Sequence, residues 1–110
     1  MTVYIDGDSL MTADGYLKAW FLTNYALPRS TRSGARYWSE KSLFYFDCRE
    51  KASRLQQFIS YSGTDGGGEA VDMQTNPNLN TPASFSEVPP GTVIEHMLNM
   101  ACLIEARIAK

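Results

Sequence analysis

Tyr16-Leu17-Lys18-Ala19-Trp20-Phe21-Leu22-Thr23-Asn24-Tyr25 is the stretch on which the fold turns. Side chains alternate across a strand, so Leu17, Ala19 and Phe21 share one face and Trp20 and Leu22 the other. A strand apolar on both faces predicts a central, covered position. Upstream, Val3-Tyr4-Ile5-Asp6 reads as a strand, and Asp6-Gly7-Asp8-Ser9 as a turn, since Asp caps locally and Gly supplies positive φ. Thr12-Ala13-Asp14-Gly15 carries the Asp-Gly signal of a hairpin turn.

Downstream, 26–35 reads as a polar loop holding Pro28 and Gly34, and 36–48 as a second long strand. There Phe44, Phe46 and Cys48 oppose Leu43, Tyr45 and Asp47. A turn at 49–53 leads to a strand over 54–62, with Leu55, Ile59 and Tyr61 on one face. The loop 63–68 precedes a short strand over 69–73, and the proline- and asparagine-rich 76–90 predicts an irregular crossing. The ending changes period: Val93, Met97, Met100, Ala101, Ile104 and Ile108 recur at helical spacing. Thr92-Val93-Ile94-Glu95 fits a capping box, with Pro89 and Pro90 just ahead of it, so a helix is predicted over 93–106. The fold class is therefore α+β: five or six antiparallel strands and one C-terminal helix burying its stripe on a sheet face. At 110 residues, a single domain over 1–110 is expected.

Composition excludes several classes of function. Apolar residues make up 44% and charged residues 20%, a globular balance. A net charge of −2 argues against nucleic-acid binding by phosphate neutralisation, and no apolar run reaches the length of a transmembrane helix. Met1 and Thr2 lead straight into a strand with no signal-like segment, which read literally means a cytoplasmic chain, and otherwise an export signal upstream of it. Cys48 and Cys102 fit either an internal bridge or two buried thiols, and their spacing matches no metal motif.

Catalytic patterns are weak. His96 is the only histidine, and no Cys or second His stands at a ligand-like offset, so a helix-surface role is the better reading. Asp6-Gly7-Asp8-Ser9 lacks the further oxygen ligands of a calcium loop. The glycines of 63–68 precede neither a Lys-Ser/Thr pair nor a helix, which leaves a hairpin loop needing positive φ rather than a phosphate cradle. No nucleophile elbow occurs. No catalytic residue, metal or cofactor is expected. Charge is the one functional hint: residues 29–54 hold seven basic against three acidic residues. Arg29, Arg32 and Arg36 lead that stretch and are the candidate partner-binding residues, with a solvated hairpin as the plainer alternative.

The order of these segments resembles the bacterial surface-adhesin protein E family. The resemblance is carried by Val3-Tyr4-Ile5-Asp6, Trp20-Phe21-Leu22-Thr23-Asn24-Tyr25 and Ser42-Leu43-Phe44-Tyr45-Phe46-Asp47-Cys48. It continues in Tyr61-Ser62-Gly63, Gly66-Gly67-Gly68-Glu69, Pro89-Pro90-Gly91-Thr92 and Ala101-Cys102, and so spans about residues 3–102. It implies an antiparallel sheet with a C-terminal helix tied to it by a Cys48–Cys102 disulfide. It also implies export to the periplasm or the outer-membrane surface, and a protein partner such as a host extracellular-matrix or serum protein. A periplasmic inhibitor or envelope accessory protein is the alternative. This sequence departs from the family in three ways: Met1-Thr2 stands where the family usually has a signal and a first strand, Phe85 and Thr92 stand where it often has a Trp shortly before Pro-Gly-Ser, and the tail 103–110 runs past the usual final cysteine. The missing strand predicts an open sheet edge through which two copies pair, or across which they swap strands, as a homodimer.

Overall fold

The structure, a computed structural model, describes residues 1–13, 16–76 and 85–108. Strands β1 (Thr2–Ala13), β2 (Tyr16–Ser30), β3 (Arg36–Asp47), β4 (Ala52–Tyr61) and β5 (Ala70–Thr75) form an antiparallel sheet in sequence order. A two-residue β6 (Ser86–Glu87) pairs with Ala52 and Ser53 at the start of β4. One helix, α1 (Val93–Ile108), follows. Phe85, just ahead of β6, stacks on Tyr16 at 4.4 Å between ring centres. Part of the crossing read as irregular thus pairs with the sheet; its residues 77–84, and the Asp14-Gly15 pair of the first hairpin signal, lie outside the described residues.

Alternation builds the core as the sequence predicts. Leu17, Ala19, Phe21, Phe44 and Phe46 are buried on one face, where Phe21 meets Phe44 and Phe46 edge-on at 6.0 and 5.9 Å. Helix α1 closes that face with Met97, Leu98 and Ala101, while Ile94, Met100 and Cys102 are partly buried against the same cluster. The buried stripe therefore runs 94, 97, 98, 100, 101, 102; Met97, Met100 and Ala101 face the core as predicted, whereas Val93 is exposed and Ile94 and Leu98 take part instead. At the helix start the Glu95 amide donates to Thr92 Oγ1 at 3.2 Å. Glu95 Oε1 accepts from the Gly91 amide, one residue before the partner a standard box would use.

Cys102 continues this stripe and is bonded to Cys48 just after β3, with 5.9 Å between their Cα atoms. The bridge fastens the second half of α1 to the corner between β3 and β4.

Four expectations need correction. The Asp6–Ser9 segment is not a turn: β1 runs through it with an irregular register between Asp6 and Met11. Ser9 Oγ accepts the Trp20 amide at 2.9 Å and donates to the Asp6 carbonyl, so a side chain replaces a ladder bond and the strand continues. Second, β2 extends to Ser30, because Arg29 and Ser30 pair again with Tyr37 and Arg36 beyond a gap in the ladder. Third, Leu55 does not share a face with Ile59 and Tyr61. Gln57 pairs with Leu43 and Leu55 with Phe44, so a bulge at Gln56 turns Leu55 toward the helix side. Fourth, β2 is central, but among the described residues no second layer of secondary structure covers the face opposite α1. Trp20 and Leu22 are half-buried on the open face, over which the loop after β4 folds at one end. There Asn24 and Asp65 exchange two hydrogen bonds at 2.7 and 2.8 Å, and Ser39 Oγ donates to the Gly63 carbonyl at 2.6 Å. Positive φ at Gly66 and Gly68 makes that loop possible, and a Cβ on Gly68 would stand 2.2 Å from Ser62 Oγ.

Candidate binding site

The β2–β3 hairpin carries the residues that charge singled out. Its turn is tightly bonded. The Thr31 amide donates to the Ala35 carbonyl at 2.8 Å, the Gly34 amide to the Thr31 carbonyl at 3.0 Å, and the Ala35 amide to Thr31 Oγ1 at 3.1 Å. Gly34 has φ +90, a conformation that costs a glycine little. This turn holds Arg32 at the tip.

Arg29, Arg32 and Arg36 are all exposed. Register sorts the two strand arginines: Arg29 lies opposite Tyr37 and Arg36 opposite Ser30, so they project to opposite faces of the hairpin. Arg29 is fixed by its neighbours. Its guanidinium carbon lies 4.3 Å from the centre of the Tyr25 ring, and that ring meets Tyr37 edge-on at 5.9 Å. The Tyr25 hydroxyl points to Glu40 Oε2 at 3.5 Å. Burial, then the adjacent Glu40 carboxylate, pushes the Tyr25 phenol up to about 12, so it stays protonated throughout the physiological range. Burial also raises the Glu40 carboxyl, a shift opposed by the Tyr25 hydrogen bond and the Arg29 charge.

The rest of the basic stretch lies elsewhere. Arg49 and Lys51 occupy the turn at the far end of β3. Arg54 is buried, with its guanidinium carbon 5.6 Å from the Tyr45 ring and Nη2 donating to Gln56 Oε1. The structure thus keeps Arg29, Arg32 and Arg36 near the tip of the hairpin, while Lys41 lies farther along β3 opposite Leu22, with its Nζ 5.4 Å from the centre of the Tyr61 ring. No acidic residue occurs in the sequence between Asp14 and Glu40, so the tip is a cationic projection on an acidic protein. The aromatic support beneath Arg29 was missed by sequence reasoning. The spacing of Tyr25 and Arg29 held a signal only once β2 was known to reach Ser30.

His96 is exposed on α1, and among the described residues no group of three or more His, Cys, Asp or Glu side chains is placed to hold a metal ion. Chemically, the hairpin offers guanidinium donors for carboxylate or sulfate groups on a rigid support.

The family model for surface-adhesin protein E matches residues 1–103. Solved structures of Haemophilus influenzae protein E are similar in fold. The selenomethionine form gives a TM-score of 0.64 at 12% identity, over 92% of this chain and 78% of that one. Protein E from non-typeable Haemophilus influenzae gives 0.59 at 13%, over 92% and 69%. Crystal form II of Haemophilus influenzae protein E gives 0.60 at 16%, over 98% and 83%. No curated protein matches the chain in sequence.

Proposed function

The chain belongs to the surface-adhesin protein E family, and on that premise we propose that it is an exported, non-enzymatic binding module that attaches to host extracellular-matrix or serum proteins. Its residues 1–110 act as one domain, displayed in the periplasm or on the outer-membrane surface, and the β2–β3 hairpin makes the contact. One observation carries this reading. Three exposed arginines stand on a hydrogen-bonded hairpin, with no acidic residue from 15 to 39, in a protein whose net charge is −2. Such a projection attracts an anionic surface and offers paired guanidinium hydrogen bonds on arrival.

The experiment is equilibrium binding of the purified chain to a panel of immobilised extracellular-matrix and serum proteins. The wild type is expected to bind at least one member saturably, and the Arg29→Ser/Arg32→Ser/Arg36→Ser variant to bind it about tenfold more weakly or worse. A variant that binds as the wild type does would remove the hairpin from the reading. A wild type that binds nothing would remove the adhesin.

Among the described residues β1 pairs only with β2, and this edge supports a second element of the proposal: two copies associate through it as a homodimer. Light scattering at high micromolar concentration is expected to give twice the 12.3 kDa chain mass, and a clean monomer would refute it.

A further inference from the structure

We infer that Leu27 is the apolar anchor of the hairpin contact, and that the partner surface it fits is a protein pocket of apolar character rimmed by carboxylates; this rests on the reading that the hairpin is the binding element. The ladder between β2 and β3 is regular as far as Asn24–Ser39 and resumes at Arg29–Tyr37. Residues 25–28 of β2 therefore stand against Trp38 alone. Pro28 lies in this excursion and has no amide to give to the ladder, which favours an unpaired stretch there. Within it, Leu27 is 77% exposed, more than any other large apolar side chain among the described residues.

A lone surface leucine needs no explanation. This one has a context. The excursion that lifts it is bounded by Tyr25, whose ring is clamped between Arg29 and Tyr37, and it leads into the bonded turn that carries Arg32. Arginine and tyrosine dominate interface hot spots, which work by packing into desolvated pockets surrounded by polar contacts. The arginines supply attraction over distance, and Leu27 supplies the apolar area that resists release. Charge complementarity sets the rim: against three exposed guanidiniums stands one half-buried carboxylate, Glu40, engaged by the Tyr25 hydroxyl, and the cationic surplus calls for acidic residues on the partner. An anionic lipid surface would answer the same charge. However, one leucine buries too little area to hold a membrane, and Arg29, seated on Tyr25, is not free to spread over headgroups.

The two contributions separate kinetically, because long-range charge acts on association and is screened by salt, while buried apolar contact acts on dissociation. The test is surface plasmon resonance on the matrix and serum panel with wild type, Leu27→Ser and Leu27→Met at two salt concentrations. Leu27→Ser is expected to speed dissociation about tenfold or more at both concentrations, with the association rate and its salt dependence unchanged. Leu27→Met, close in volume, is expected to stay within about threefold of wild type. Wild-type kinetics for Leu27→Ser would overturn this inference and leave the arginine reading standing. A wild type that binds no member would overturn both. If Leu27→Ser lost binding to phosphatidylglycerol vesicles while keeping its hold on the protein panel, the inference would fall in favour of a lipid surface.

Discussion

Replacing Cys48 and Cys102 together by alanine is expected to lower the unfolding free energy by about 4 kcal/mol. The two cysteines lie 54 residues apart, so the bond closes a long loop and restricts the unfolded chain strongly. Unfolding free energies of domains this size run to roughly 5–15 kcal/mol, so such a loss is a large fraction of the whole. The helix side of the argument points the same way. Without the bridge, α1 is held to the sheet mainly by a narrow stripe of Ile94, Met97, Leu98 and Ala101, and its exposed face gains nothing from docking. Urea unfolding of the double variant beside the oxidised wild type measures the difference. A change below about 1 kcal/mol would mean that the unfolded chain keeps structure that makes the tether redundant.

The second large effect is at Phe21. Truncation to alanine is expected to cost about 3–5 kcal/mol, because the side chain is 1% exposed and its removal leaves a cavity in a close-packed core. Phe44 and Phe46 stack on each other at 5.7 Å and both meet Phe21 edge-on. Removing Phe21 therefore forfeits two aromatic contacts as well as apolar burial. The readout is again the urea midpoint, with Leu27→Ala as the control of equal chemistry at an exposed site, expected to leave stability unchanged. If Phe21→Ala matched that control, the core would not lie between the sheet and α1.

Much of this architecture was legible in the sequence because the signals were periodic. The alternation of Leu17, Ala19 and Phe21, matched by Phe44 and Phe46, marked the buried face. The helix showed itself by its spacing and by Thr92 and Glu95, which cap it as expected save for a shift of one residue in the return bond. Irregularities of the ladder were not legible. Nothing in the order of residues said that Ser9 Oγ would take the Trp20 amide, or that a bulge at Gln56 would turn Leu55 away from Ile59. Nor does alternation say how many layers cover a sheet. Trp20 and Leu22 read as core from their chemistry, yet among the described residues their face carries only the loop after β4.

The candidate site was half legible for the same reason. Arg29, Arg32 and Arg36 stood out by charge, which needs no geometry. That they would share one hairpin while Arg54 went inside, and that Tyr25 would seat Arg29, depended on where β2 ended and how it re-paired beyond Pro28. Pro28 marked a break in the ladder, but where pairing resumes depends on how the turn at 31–35 closes the hairpin, which alternation does not encode.

The claim at the centre of this account is that the hairpin arginines draw the protein to its partner. The most direct test is the association rate of wild type and the Arg29→Ser/Arg32→Ser/Arg36→Ser variant with a bound panel member across a range of ionic strength. The account predicts a wild-type rate that falls steeply with salt and a variant rate that is low and nearly flat. Two parallel lines, with the variant as fast and as salt-sensitive as the wild type, would contradict it.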